Sequence, residues 1–168
     1  SSAASDVYKR QDIYMFLKGL KPDNRNRMLH EIWEYKDRDI ETSHDFIQKM
    51  FPIDAPSHHS LNKFYLGDPQ LIDQIRMDPT AIKNLLISRD WFLGFLQRND
   101  AWQYFYNHNQ LRITRIIKCL KLLVSHAEAQ KFYDDVIFLK KKDSKIPASS
   151  NQYWIEALND IHYARSTL

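Results

Sequence analysis

The chain has 168 residues, of which 24 are Lys or Arg and 21 are Asp or Glu, for a formal net charge of +3. One cysteine and three glycines exclude an internal disulfide framework, a multi-cysteine zinc or iron–sulfur site, a dinucleotide fingerprint and a Gly-rich phosphate loop, because each needs those residues in clusters. At 43% hydrophobic and 27% charged, the chain reads as one globular domain rather than a disordered one, and a charge balance this mild does not by itself call for nucleic acid.

Residues 1–11, SSAASDVYKRQ, read as a translated sequencing adapter and are set apart from the fold, so the domain is taken as residues 12–168. No apolar run approaches the length of a membrane span, and no basic-then-apolar leader opens the chain. With Cys119 free, the expected setting is reducing and intracellular, and the expected protein soluble.

Between the prolines, apolar residues recur at helical spacing. Asp23–Arg27 reads as a turn before a short helix, Met28 to Tyr35. The next helix is expected from Arg38 to Phe51, with Ile40, His44, Ile47 and Phe51 on one face and Pro52 ending it. A loop from Ile53 to Gly67 follows. Asp68-Pro69 and Asp78-Pro79 each offer a capping carboxylate followed by proline in the first turn, starting helices over 69–77 and 79–97. An aromatic loop (Trp102, Tyr104, Phe105, Tyr106) leads to the strongest helix, Gln110 to His126, with Asn109 as its expected cap. Helices over 128–142, with Phe132, Tyr133, Val136, Ile137 and Leu139 inward, and over 151–164 complete the chain. The expected fold is an all-α, single globular domain of six to seven helices.

The residues that carry chemistry are few. His30-Glu31 begins like a zinc-protease motif, but Glu34 stands where the second histidine is needed. His58 and His59 are adjacent, so their side chains diverge, and they read as loop histidines. Cys119 reads as a buried small hydrophobe. No metal or cofactor is expected. His44 with Gln48 one turn on reads either as a satisfied core pair or as the polar lining of a pocket. Arg112, Arg115, Lys118 and Lys121 form a ridge at i+3 spacing, read as a solvated face or as a phosphate- or nucleic-acid-binding ridge. The aromatic residues just before it read as core or as a base-stacking surface.

Two stretches carry a resemblance. Asp39–Pro52, DIETSHDFIQKMFP, is similar to a pattern of an acidic residue, two spacers, His, then an aromatic-Ile-Gln-Trp-Leu-Phe-Pro run. Asn107–Leu120, NHNQLRITRIIKCL, is similar to a His-Asn-x-Leu-Arg-Ile-Thr-Arg-Ile-Leu run. Both patterns, in this order, belong to the conserved region of the opioid growth factor receptor family, which the chain resembles over about Ile13 to Leu139. Lys49-Met50 stands where the family has Trp-Leu, and Phe95-Leu96-Gln97 where it tends to read Phe-Tyr-Gly. The resemblance implies a non-enzymatic, all-α signalling-receptor module that binds a peptide or protein, with peripheral membrane association. Its polar motif positions here are His44, Gln48, His108, Asn109, Arg112, Thr114 and Arg115. The ligand-binding set expected from them is His44 and Gln48 facing His108, Asn109, Arg112 and Arg115 across a groove between the two signature helices. The alternatives are nucleic-acid or phosphate binding through the Arg112–Lys121 ridge, a protein-interaction scaffold, and an enzyme using His44 or His108 as its acid–base group.

Overall fold

Helix-forming segments bounded by prolines and short polar caps fold into an all-α structure, as the spacing predicts. The structure, a computed structural model, describes residues 11–55 and 65–160. Most of the adapter-like run, His58 and His59, and the expected end of the last helix therefore lie outside the described residues. In chain order the helices are α1 (residues 11–17), α2 (Leu29–Trp33), α3 (Asp37–Thr42), α4 (Ile47–Met50), α5 (Pro69–Arg76), α6 (Pro79–Arg98), α7 (His108–Leu123), α8 (His126–Phe138) and α9 (Ala148–Asn159), with a 3₁₀ turn at Ala101–Gln103. An isolated parallel bridge between Tyr104 and Lys145 is the sole sheet-like pairing among the described residues. Two compact units can be described, Ser1–Ser88 and Arg89–Leu168, with the boundary inside α6.

In the first unit, α1 ends where Gly19 takes φ +77°, a conformation that costs glycine nothing and other residues strain. The Asn84 side chain then donates to the Leu17 carbonyl at 2.9 Å, satisfying one of the helix's orphan acceptors. Both Asp-Pro starts form as expected. Asp68 accepts from the Gln70 N–H at 2.9 Å, and Asp78 accepts from Thr80 at 2.9 Å and Ala81 at 3.2 Å. Asp78 also takes the Tyr14 hydroxyl at 2.6 Å and lies 3.3 Å from Lys18 Nζ. The Tyr14 hydrogen bond, above all, outweighs burial and holds the Asp78 carboxyl down at about 2.

The helix expected over 38–51 is broken. α3 stops at Thr42, Ser43 turns extended (φ −83°, ψ 134°), and α4 restarts only at Ile47. A charge cluster supplies the reason. Arg27 Nη1 donates to Asp45 at 2.9 Å while its Nε and Nη2 hold Asp23 at 2.9 and 2.6 Å. Arg25 Nε reaches Asp45 at 2.5 Å, and the buried Lys49 donates to Asn24 and stands 3.7 Å from Asp23. Asp45 is thereby pulled onto the Asp23–Arg27 turn, and Phe46 is buried edge-on to Tyr35 with ring centroids 5.9 Å apart. The Asp23 side chain is fully enclosed. Burial pushes its carboxyl up, but the Arg27 donors overcome this and leave it below the ordinary range.

In the second unit α7 packs on both α8 and α9. Its start is capped by Asn107, whose side chain accepts from the Asn109 N–H at 2.9 Å, so the cap lies two residues before the expected one. Ser125 caps α8 through the Glu128 N–H at 3.1 Å, which moves that helix forward to residues 126–138. Phe132 and Val136 are buried as expected, whereas Tyr133, Ile137 and Leu139 are half-buried. Lys140–Lys142, inside the helix expected over 128–142, lie past the end of α8.

Candidate functional site

α7 is buried nearly all the way round, and its polar residues are buried with its apolar stripe. Each such group must find a partner inside the fold, because an unmet buried donor or acceptor costs about 1–3 kcal/mol. Gln110 is the hub. Its Nε2 donates to the Trp102 carbonyl at 2.9 Å and the Phe105 carbonyl at 2.6 Å, and its Oε1 accepts from the Ser150 hydroxyl at 2.5 Å. The Gln110 carbonyl accepts from the Trp154 indole at 3.0 Å and the Thr114 hydroxyl at 3.2 Å. One residue thus ties the aromatic loop, α7 and α9 together. Gln103 does the same for the loop after α8, with Nε2 on the Leu139 carbonyl at 2.9 Å and Oε1 on the Lys141 N–H at 2.8 Å.

The residues expected at the site fall in two places. His44 and Gln48 belong to the first unit, and His108, Asn109, Arg112 and Arg115 to the second. His44 and Gln48 do not share a helical face: His44 is exposed in the link between α3 and α4, while Gln48 is buried in α4. In the second unit, Asn109 and Arg112 are brought together. Both are buried, and Arg112 Nη1 donates to Asn109 Oδ1 at 3.1 Å. Arg115 is buried, and His108 is half-buried in the first turn.

The expected solvated ridge is not one. Arg112 is 5% exposed, Arg115 7% and Lys121 3%; only Lys118 is half-exposed. Lys121 Nζ donates to the carbonyls of Leu158 and Asp160, at the end of α9, where a cation meets the unsatisfied carbonyls and the negative end of the helix dipole. Burial lowers its pKa, with Asp160 working against that. Side chains held this way do not present a phosphate-binding face to solvent. Cys119 is fully buried, and desolvation pushes its thiol far above the ordinary range, against a small opposing effect of Arg115. It is packed as a small hydrophobe, as its position beside the apolar stripe suggests.

A family model described as the opioid growth factor receptor (OGFr) conserved region matches residues 9–168. The chain belongs to the opioid growth factor receptor family. Comparison with curated proteins and with solved structures finds no significant match. The second signature stretch of this opioid growth factor receptor domain supplies α7 and its cap. The first supplies α3, α4 and the carboxylate that breaks the helix between them. Among the described residues, no helix is long and apolar enough to cross a membrane, and no group of three or more His, Cys, Asp or Glu is placed to hold a metal ion.

Sequence reasoning passed over Gln110. The signal was present: Gln110, Ile113, Ile117 and Leu120 are spaced 3, 4 and 3, so the glutamine sits on the apolar stripe itself. An amide on such a stripe must be bonded inside the fold.

Proposed function

We propose that this domain is a non-enzymatic binding module that takes a peptide or protein ligand in a receptor-type signalling role. The observation that carries this reading is the family match over residues 9–168. The geometry supports it in one respect. The buried polar side chains of the second signature stretch are engaged in holding helices and loops: Gln110 on three partners, Arg112 on Asn109, Lys121 on the end of α9. Such a helix is a rigid frame, and ligand contact falls to the exposed motif residue of the first unit, His44. Gln48, Asn109, Arg112 and Arg115 then act by positioning. An intracellular setting and peripheral membrane association belong to the same reading.

Calorimetric titration of the 168-residue chain with opioid peptides tests it. Saturable heat is expected, weakened at least tenfold in His44→Ala while the melting temperature stays within about 1 °C, since exposed substitutions away from special features rarely matter. Arg115→Ala should lower the melting temperature. Absence of saturable heat, or binding by His44→Ala equal to that of the unsubstituted chain, overturns the reading.

A further inference from the structure

The aromatic loop before α7 divides by burial. Trp102 is sealed in the core, its indole on the Leu96 carbonyl at 3.0 Å, whereas Phe105 is 68% and Tyr106 79% exposed. Two large rings exposed to water at consecutive positions are not explained by packing. The backbone is also unusual: Phe105 has φ +60°, a left-handed conformation that bulky residues rarely take and that glycine or asparagine would accept without strain. That conformation is pinned at both ends. The Phe105 N–H donates to the Lys145 carbonyl at 3.0 Å, and the Phe105 carbonyl accepts from Gln110 Nε2 at 2.6 Å. Tyr106 is fixed in turn, its hydroxyl 3.0 Å from that of Ser149. A residue ill-suited to its backbone, held there by hydrogen bonds at both its N–H and its carbonyl and pointing a ring at solvent, is the kind of outlier that motivates a functional assignment.

The surroundings are cationic. The Tyr104–Lys145 bridge lays the loop after α8 alongside, which places Lys145 Nζ 5.7 Å from the centre of the Phe105 ring. Lys140 and Lys142, in the same loop, are exposed and make no ion pair with any described residue. Lys141 pairs with Asp100 at 2.6 Å, and Asp143 accepts the Tyr104 hydroxyl at 3.2 Å, so these two carboxylates are engaged and the 140–145 loop, with four lysines to one aspartate, keeps an excess of positive charge.

We propose that Phe105 and Tyr106, with Lys140, Lys142 and Lys145, form a stacking platform for single-stranded nucleic acid. The rings offer π-faces to unstacked bases and the ammonium groups meet the flanking phosphates. Rings this exposed lack the enclosing walls that a peptide anchor needs, whereas a flat base needs only a ring face. Lysine, a point charge on a flexible stem, suits phosphates of variable position. The assignment is independent of the peptide-binding reading. It moves the nucleic-acid possibility from the buried α7 ridge to a surface that nucleic acid can reach.

The test is fluorescence anisotropy of the 168-residue chain with a labelled oligothymidylate and a labelled oligouridylate at 50 and 200 mM salt. Binding should be sequence-tolerant and weaken with salt. Tyr106→Ala, and separately Phe105→Gly, which suits the backbone conformation, should each weaken it roughly 5- to 150-fold, the span observed for removing one stacking ring. Replacing Lys140, Lys142 and Lys145 together by Gln should flatten the slope of log K against log salt by about 2, since each single-strand phosphate neutralised contributes about 0.7. All variants are first shown to keep the wild-type circular dichroism. Lack of binding to either oligomer at 50 mM salt, or binding indifferent to both ring variants, overturns the assignment. So does an acidic Glu-rich peptide that binds tighter than the oligomers and loses affinity in the same variants, which would make the platform a peptide-docking surface.

Discussion

Replacing Gln110 by Ala should be among the most damaging single substitutions in the second unit, although it removes only a polar side chain. The substitution takes away the donors of the Trp102 and Phe105 carbonyls, at 2.9 and 2.6 Å, and the acceptor of the Ser150 hydroxyl, at 2.5 Å. Each such bond is worth a net 0.5–1.5 kcal/mol, and partners left buried cost more, so the loss should be about 3 kcal/mol. Set against the 5–15 kcal/mol typical of a whole domain, that is a large fraction. For a chain of this length it corresponds to a fall in melting temperature of about 6–12 °C. Urea unfolding followed by tryptophan fluorescence is the assay, because Trp102 and Trp154 both sit on this network. Gln97→Ala, on the exposed face of α6, serves as the control and should change stability by less than about 0.5 kcal/mol. Gln110→Glu adds a signed test. Its carboxylate would face two carbonyls, so burial and repulsion would raise its folded pKa. The variant should therefore regain part of its lost stability as pH falls, when protonation restores a donor. A loss in Gln110→Ala no larger than the Gln97→Ala control would refute the argument that this amide holds the loop and α9 to α7.

Further outcomes follow from other parts of the fold. Arg27→Met should destabilise the first unit by about 3 kcal/mol in urea titrations, because it removes both guanidinium bonds from the enclosed Asp23 carboxylate and leaves Lys49, 3.7 Å away, as its remaining cation; an effect under about 1 kcal/mol would show the cluster to be incidental. Asp78, held down at about 2, contributes stability that is complete above the ordinary carboxylate range and drains away as pH falls from near 4 toward 2. Acid titration of thermal stability should accordingly be shallower in Asp78→Asn than in the parent, and parallel curves would contradict the assigned hydrogen bonds. Native protein should leave Cys119 unmodified by a thiol reagent until denaturant is added, since the group is fully buried and its thiolate strongly disfavoured; labelling at the rate of a free thiol would contradict that burial. Lys121→Met, which keeps the stem and removes the ammonium from the α9 carbonyls, should expose amides at the end of α9 to faster hydrogen exchange, and unchanged exchange would dissociate Lys121 from that helix end.

Local chemistry was legible where it acts within a few residues. Asp-Pro starts, the turn at 23–27 and the apolar stripe of α7 each depend on backbone geometry or on neighbours one turn away, and each was readable from its own stretch of chain. The second signature run also announced a strong helix, although its cap lay at Asn107 and not Asn109, both of which satisfy the same preference for a short polar side chain. By itself the sequence thus determined the helical class, most helix positions, the family through two ordered motifs, and the buried state of Cys119.

Tertiary structure decided what depended on distant partners. Nothing within residues 38–51 says that Asp45 will leave the helix; the two arginines that draw it out sit some twenty positions earlier. The same holds for the basic ridge. Spacing of three along α7 is compatible with a solvated face, and Lys121 is buried because α9 packs on that helix and offers the carbonyls of Leu158 and Asp160. The aromatic loop is the converse. Trp102 and Phe105 are three positions apart and equally apolar, yet one is sealed and the other faces water, because the bonds from Lys145 and Gln110 set Phe105 in a left-handed conformation. Periodicity reports which residues share a face of one element. Which faces then meet a neighbour, and which polar groups that neighbour satisfies, is settled only when segments distant in the chain come together.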